Sequence, residues 1–282
     1  MRNHETNMRP SENIKAQVRT LVKSEHFHIL IVEGRPGTGK TTAISRALSE
    51  LEIEPAILGA YSTPLGLFNF LCEHRSELIL IDDTSSVLSN NSAMGILKSA
   101  TWEIPGRGRY IRWTSTTERA LADDFIFDGK LIVVANLFPR SADAEAVKSR
   151  SLDLQIDPDV AETRELLAVA AKDKTRFPDQ KIAARVLKKL LADLTKENLS
   201  KVSYRTLQKA YEIAIHNPDS WEQMSVQAHA PGRSSEAPHK VIARLNRPDV
   251  KVKDQLREFE QITGFKRRTF FKYRRQLGLQ DD

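Results

Sequence analysis

The sequence predicts an α/β fold: a parallel sheet sandwiched by helices, followed by a helical lid and a small α-helical C-terminal domain. Three observations predict it. His28-Ile-Leu-Ile-Val-Glu33, Leu78-Ile-Leu-Ile81 and Leu131-Ile-Val-Val-Ala135 are continuous apolar runs of strand length, as a sheet buried on both faces requires. Segments of helical periodicity separate them. A glycine-rich loop follows the first run and opens a helix. With 282 residues, 40% of them hydrophobic, the chain has material for one large domain or two or three smaller ones.

Each element follows from local pattern. Ser11 is a cap-like residue ahead of Ile14, Val18, Leu21 and Val22, so residues 11–24 read as a helix. The first apolar run and its glycine loop come next, then a helix over 41–51 with Ile44, Ala47, Leu48 and Leu51 on one face. Pro55-Ala-Ile-Leu-Gly-Ala60 reads as a strand. Ser62-Thr-Pro-Leu starts a helix to about residue 75, with proline in its first turn. The run 78–81 ends in Asp82-Asp83. Residues 92–100 read as helix, Tyr110-Ile-Arg-Trp-Thr as a strand, and the run 131–135 ends in Asn136. Leu152-Asp-Leu-Gln-Ile156 alternates and is the last strand. From 161 to about 215 the pattern is helical throughout. Residues 217–239, with Asn-Pro-Asp and Ala-Pro-Gly-Arg-Ser-Ser, read as a linker, and 241–279 return to helix.

Composition narrows the class. Cys72 is the one cysteine, so an internal disulfide framework is excluded, which fits a reducing compartment and a packing role for that residue. No apolar run approaches the roughly 20 residues of a membrane span, and the N-terminus has no apolar core of a secretory signal. The expectation is a cytoplasmic protein with no membrane partner. The net charge of +6 is concentrated: residues 240–282 carry 12 Lys/Arg against 6 Asp/Glu, and the rest of the chain is balanced. A concentrated basic segment points to a polyanion.

Gly34-Arg35-Pro36-Gly37-Thr38-Gly39-Lys40-Thr41-Thr42 has the spacing and context of a phosphate-binding P-loop. Its glycines let backbone N–H groups face phosphates, and the helix that follows adds its dipole. This predicts an ATP site over residues 34–42, with Lys40 on the β- and γ-phosphates and the Thr41 hydroxyl on Mg²⁺. A carboxylate at the end of a neighbouring strand completes such a site. Asp82 takes the metal side, and Asp83 falls where an attacking water is polarised.

The order of P-loop, acidic strand end, Asn-ending strand and helical lid resembles the AAA+ ATPases over roughly residues 10–215. The resemblance implies that Asn136 acts as sensor 1, placing water near the γ-phosphate. Lys148-Ser149-Arg150-Ser151 is similar to the Ser-Arg-Cys element of clamp loaders, which makes Arg150 an arginine finger acting in a neighbouring subunit. Val202-Ser-Tyr-Arg205 resembles the sensor 2 helix, with Arg205 turned to the nucleotide and Lys209 a weaker candidate. The implied division is an AAA+ P-loop domain over 1–158, a lid over 159–216, the linker, and a basic domain over 240–282. The departure is Asp83, where most AAA+ proteins have glutamate. Aspartate is one methylene shorter, so slow hydrolysis or use of ATP as a switch stays open.

Two basic segments point to DNA. Arg107, Arg109 and Arg112 alternate with Tyr110 and Trp113, a pattern for phosphate contact with base stacking or for a hairpin with its aromatics inward. Residues 252–262 and 266–277 read as two helices around Thr263-Gly264-Phe265, which resembles a helix-turn-helix. Phe270, Phe271 and Leu277 would face inward, and Lys266, Arg267, Arg268, Lys272, Arg274 and Arg275 would face DNA. The expectation is a DNA-associated AAA+ ATPase working as a homo-oligomer, ring or helical, in replication initiation, helicase loading, helicase action or transposition. Its further partner would be another replication or recombination protein. The alternatives are an ATP-gated DNA-binding regulator with little hydrolysis, and a protein-remodelling ATPase whose tail is an adaptor.

Overall fold

The computed structural model describes residues 9–59, 61–82, 84–114, 120–196, 198–224, 238–246, 250, 252–263 and 267–279. The chain forms two compact units, Met1–His216 and Asn217–Asp282.

The first unit is built on a five-stranded parallel sheet in the order β2-β3-β6-β1-β7. The strands are β1 (Ile29–Gly34), β2 (Ala56–Gly59), β3 (Leu78–Asp82), β6 (Lys130–Ala135) and β7 (Leu152–Ile156). The continuous apolar runs are explained by burial on both faces. Alternate residues point to opposite sides, and both sides are covered. Ile29, Ile31, Ile79, Ile81, Leu131 and Val133 pack on one side with α3 (Pro64–Glu73), α5 (Asn91–Thr101) and α6 (Ala142–Lys148). Leu30, Val32, Leu80, Ile132 and Val134 pack on the other with α1 (Pro10–Lys23) and α2 (Lys40–Glu50). A short α4 (Ser85–Leu88) leads into α5.

One local expectation is corrected, and one strand takes a place of its own. Helix α1 begins at Pro10, with Arg9 at the cap position and no side-chain cap, because proline supplies the first-turn φ that Ser11 was expected to prepare for. Tyr110–Arg112 (β4) is a strand, but it stands outside the parallel sheet and pairs antiparallel with β5 (Asp124–Ile126).

The helical lid contains α7 (Val160–Ala171), α8 (Gln180–Asp193) and α9 (Tyr204–His216), with a 3₁₀ turn at Leu199–Lys201. Helix α7 opens with a capping box, Asp159 accepting from Glu162 N and Glu162 from Asp159 N. Phe177 and Tyr211 are fully buried between the helices, 5.0 Å apart edge to face, and the Tyr211 hydroxyl accepts from Asp179 N.

In the second unit the stretch expected to be a linker includes a helical segment. Residues 221–224 are helical, and Trp221 is only 3% exposed. Residues 225–237 lie outside the described ones. Helices α10 (Pro238–Leu245), α11 (Val252–Thr263) and α12 (Arg267–Gln276) close around Val241, Ile242, Leu245, Phe259 and Phe270. Among the described residues no helix is long and apolar enough to cross a membrane.

Candidate functional site

The carboxyl ends of β1, β6 and β3 lie side by side, where open α/β sheets bind ligands. Strand β6 runs between β1 and β3, with Glu33 opposite Ala135 and Asp82 opposite Val134. Asn136 therefore leaves the sheet between the glycine loop and Asp82. The loop itself turns on two glycines in the left-handed region, Gly37 at φ 76° and Gly39 at φ 82°; Gly39 is also the N-cap of α2.

This geometry collects the polar groups that the sequence singled out. Lys40, 6% exposed, donates from Nζ to Gly34 O at 2.5 Å, to Arg35 O at 2.9 Å and to Asn136 Oδ1 at 3.4 Å. The Thr41 hydroxyl donates to Asp82 Oδ1 at 3.3 Å. Thr38 Oγ1 donates to Arg35 O, closing the loop on itself. These groups line a cavity of about 780 Å³, together with Thr42, Asp82, Arg205 and lid residues of α7 such as Leu166 and Val169. Pro10 and Ile14 of α1 line it as well. The lining thus combines the loop lysine with apolar side chains from α1 and α7.

The lid rests directly on the loop. Tyr204 N, at the start of α9, donates to Gly37 O at 3.1 Å. Ser203 packs so closely that a Cβ on Gly37 would stand 2.7 Å from its Oγ, and Arg205 Cγ would be 3.7 Å away. Arg205 is exposed and lines the cavity. Arg176, also lining it, donates to the Tyr204 hydroxyl at 3.1 Å, and that bond holds its guanidinium pKa above the ordinary value.

Arg35 stands where a loop residue facing ATP was expected. Its side chain instead turns to the lid: Nη1 donates to Leu199 O and Nη2 to Pro158 O, both at 2.8 Å, and Nε lies 3.0 Å from Asp157 Oδ1. It acts as a strut between the loop, the entry to the lid and the 3₁₀ turn. Nothing in the local sequence signalled this role, because its partners lie more than 120 residues away.

The residues present fit Mg²⁺. Hard oxygen donors, one hydroxyl and one carboxylate, stand together at the phosphate end, and Mg²⁺ at phosphate sites needs only one or two protein ligands. Groups of three or more His, Cys, Asp or Glu that could hold a metal unaided are absent among the described residues. Asp83 lies outside the described residues.

Arg150 is not among the cavity's lining residues. It follows α6, donates from Nη1 to Ala146 O at 3.3 Å and lies over the Trp102 ring at 5.8 Å. Of the basic residues, Arg107 and Arg112 are exposed, as are Arg267, Arg268, Lys272 and Arg275 on α12; Lys266 lies outside the described residues.

Two of the arginines expected to face DNA are buried instead. Arg109 is 6% exposed; its Nη1 donates to Ala100 O at 3.2 Å and Gly129 O at 2.8 Å, and it lies over Phe127 at 5.2 Å. Burial pushes its pKa below the ordinary value, with Asp128 and Glu103 opposing. Alternation puts Arg109 on the inward side of its segment because Phe127 and the backbone oxygens lie there. Arg274 is 3% exposed, donates to Gln255 Oε1 at 3.0 Å and lies over Phe270 at 5.5 Å. It is a packing residue between α11 and α12.

The fold matches solved structures. RuvB from Thermotoga maritima, a Holliday junction branch migration motor, is 14% identical, with 97% of this chain and 90% of that chain covered at a TM-score of 0.50. NtrX from Brucella abortus, solved in complex with ATP, is 13% identical, with 99% and 70% covered at a TM-score of 0.50. At these identities the likeness shows the fold alone, an α/β P-loop fold with a parallel sheet flanked by helices. No protein-family model matches the chain, and no curated protein does.

Proposed function

We propose that the chain is a DNA-associated AAA+ ATPase that binds and hydrolyses ATP between copies of itself. The observation that carries this reading is the meeting of Lys40, Thr41, Asp82 and Asn136 in one cavity that Arg205 of the lid also lines. Lys40 and the loop N–H groups bind phosphate oxygens. Ile14, Leu166 and Val169, which line the same cavity, accept the base. Thr41 and Asp82 would hold Mg²⁺, which would supply charge neutralisation on the phosphates. Asn136 and Asp83 orient the attacking water, Arg205 contacts the phosphates from the lid, and Arg150 of a neighbouring copy stabilises the charge that develops.

The DNA reading rests on the second unit. Arg268, Lys272 and Arg275 follow one another at i, i+4 and i+7 on the exposed side of α12, with Arg267 beside them. That stripe suits a phosphate backbone. Arg107 and Arg112 of the first unit are secondary candidates. RuvB, whose structure is similar, is described as a branch migration motor, which supports the DNA reading. The processes we consider are replication initiation, helicase loading, helicase action and transposition, with another replication or recombination protein as partner and the domain division 1–158, 159–216, 217–239 and 240–282. Asp83 favours a second reading, an ATP-gated DNA-binding regulator with little turnover.

The test is ATPase rate against protein concentration, with and without DNA, at two salt concentrations. The expected result is a rate per subunit that rises with concentration and with DNA, more strongly at low salt. A negligible rate at every concentration with ATP binding intact sinks the hydrolytic reading in favour of the regulator. ATP turnover without salt-dependent DNA affinity removes the DNA reading.

A further inference from the structure

We infer that Trp102 is a positioning residue for Arg150, and that the pair is presented to the nucleotide of a second copy of this chain. The inference rests on the reading of Arg150 as a residue that acts between copies.

The first argument is distance. Arg150 lies two residues ahead of β7, whose first residue, Leu152, pairs with Leu30. The glycine loop leaves the other end of the same strand pair, where Gly34 faces Ile156. The four residue steps of strand span roughly 13 Å, and the side chain must cross that length before it reaches its own phosphates. Its guanidinium lies over the Trp102 ring instead.

The second argument is how Arg150 is held. Among the described residues no carboxylate pairs with it. Its guanidinium has five N–H donors, and the one recorded hydrogen bond, to Ala146 O, is long at 3.3 Å. A salt bridge would neutralise it. An aromatic face fixes its orientation while leaving its charge and most of its donors for an incoming phosphate.

The third argument is Trp102 itself. It closes α5 as the C-cap, and its N–H donates to Ser99 O. It is 51% exposed, so it is not filling the core, and among the described residues the Arg150 guanidinium is the cation over its ring. The frame beneath the pair is rigid. Lys98 of α5 donates to Asp143 of α6 at 2.8 Å, and Ala100 and Val147 are fully buried between them. The tryptophan thus restricts the rotamers of an arginine that would otherwise sample solvent, and a second copy covers the exposed indole when the arginine is used.

The experiment is complementation in the full-length chain. Lys40→Ala offers Arg150 but lacks its own phosphate-binding lysine; Arg150→Ala keeps its site but offers no arginine. Mixing the two is expected to restore turnover. Adding Trp102→Ala or Trp102→Leu to the Lys40→Ala partner is expected to lower the restored rate by about three- to tenfold. Trp102→Phe in its place is expected to retain most of it. In the chain carrying Trp102→Leu alone, ATP affinity and melting temperature are expected to stay at wild-type values while kcat falls. Restored rates that ignore Trp102→Leu overturn the inference and leave the reading of Arg150 standing. A mixture that never regains activity while Arg150→Ala alone turns over normally overturns both, as does a wild-type chain without turnover.

Discussion

At Gly37 a backbone angle and a domain contact meet. The residue is at φ 76°, and an added Cβ would collide with Ser203 of the lid. Gly37→Ala is expected to destabilise the first unit by about 1–3 kcal/mol and to weaken ATP binding, since loop and lid cannot both keep their places. Calorimetric melting and ATP titration check the two effects. The arginines of the second unit divide in the same physical way. Arg274 is buried against Gln255 and Phe270, so Arg274→Ala should cost about 3 kcal/mol by leaving polar atoms and a void behind. Lys272→Ala, on the exposed stripe, should leave the melting temperature within a degree or so of wild type, because exposed substitutions cost little. It should weaken DNA binding instead, and thermal melts beside DNA titrations separate the two.

At the scale of elements, the amino end of β6 is tied to α1 and to the segment around Arg109. Lys130 Nζ donates to Leu21 O and Ser24 O, both at 2.5 Å, satisfying carbonyls at the end of α1. His28 sits beside this cation, and its Nδ1 is buried with no hydrogen-bond partner. Burial first, then Arg109 and Lys130, lower its pKa from the ordinary 6.5. A lowered histidine pKa means that the folded state prefers the neutral ring. The stability it contributes is full above pH 6.5 and is lost as the pH falls through that value towards the folded pKa. His28→Gln removes this titration, so melting temperature measured from pH 7.5 to pH 5 should fall less steeply than in the wild type. An equal slope in both would remove His28 as a source of acid sensitivity.

For the whole molecule, the net charge of +6 concentrated in residues 240–282 makes ionic strength the useful variable. If α12 lies along a phosphate backbone, log affinity should fall linearly with log salt, and removing one exposed cation should lower the slope by about 0.9. Lys272→Ala and Arg275→Ala should each do so, while Arg109→Lys, inside the first unit, should not. Parallel titrations at several salt concentrations decide it.

Much of this protein was legible in its residues. Strand runs at 29–34, 78–82 and 130–135 announce themselves because burial on both faces admits no polar alternation. Gly37, Gly39, Lys40 and Thr41 announce a phosphate loop because few other residues tolerate that backbone, and Asp82 and Asn136 stand out as polar ends of apolar strands. The sequence by itself therefore determined the strands, the loop and the polar residues that meet it. Only the tertiary structure decided that β6 runs between β1 and β3, which brings Asn136 to Lys40. It also turned Arg35 to the lid, and Arg109 and Arg274 inward. The reason is physical. Arginines occur all around α12, so charge marks no face of it, and the buried side is set by Gln255 and Phe259 on a different helix. A local pattern records what a residue can do, and packing partners distant in the chain decide which way it points.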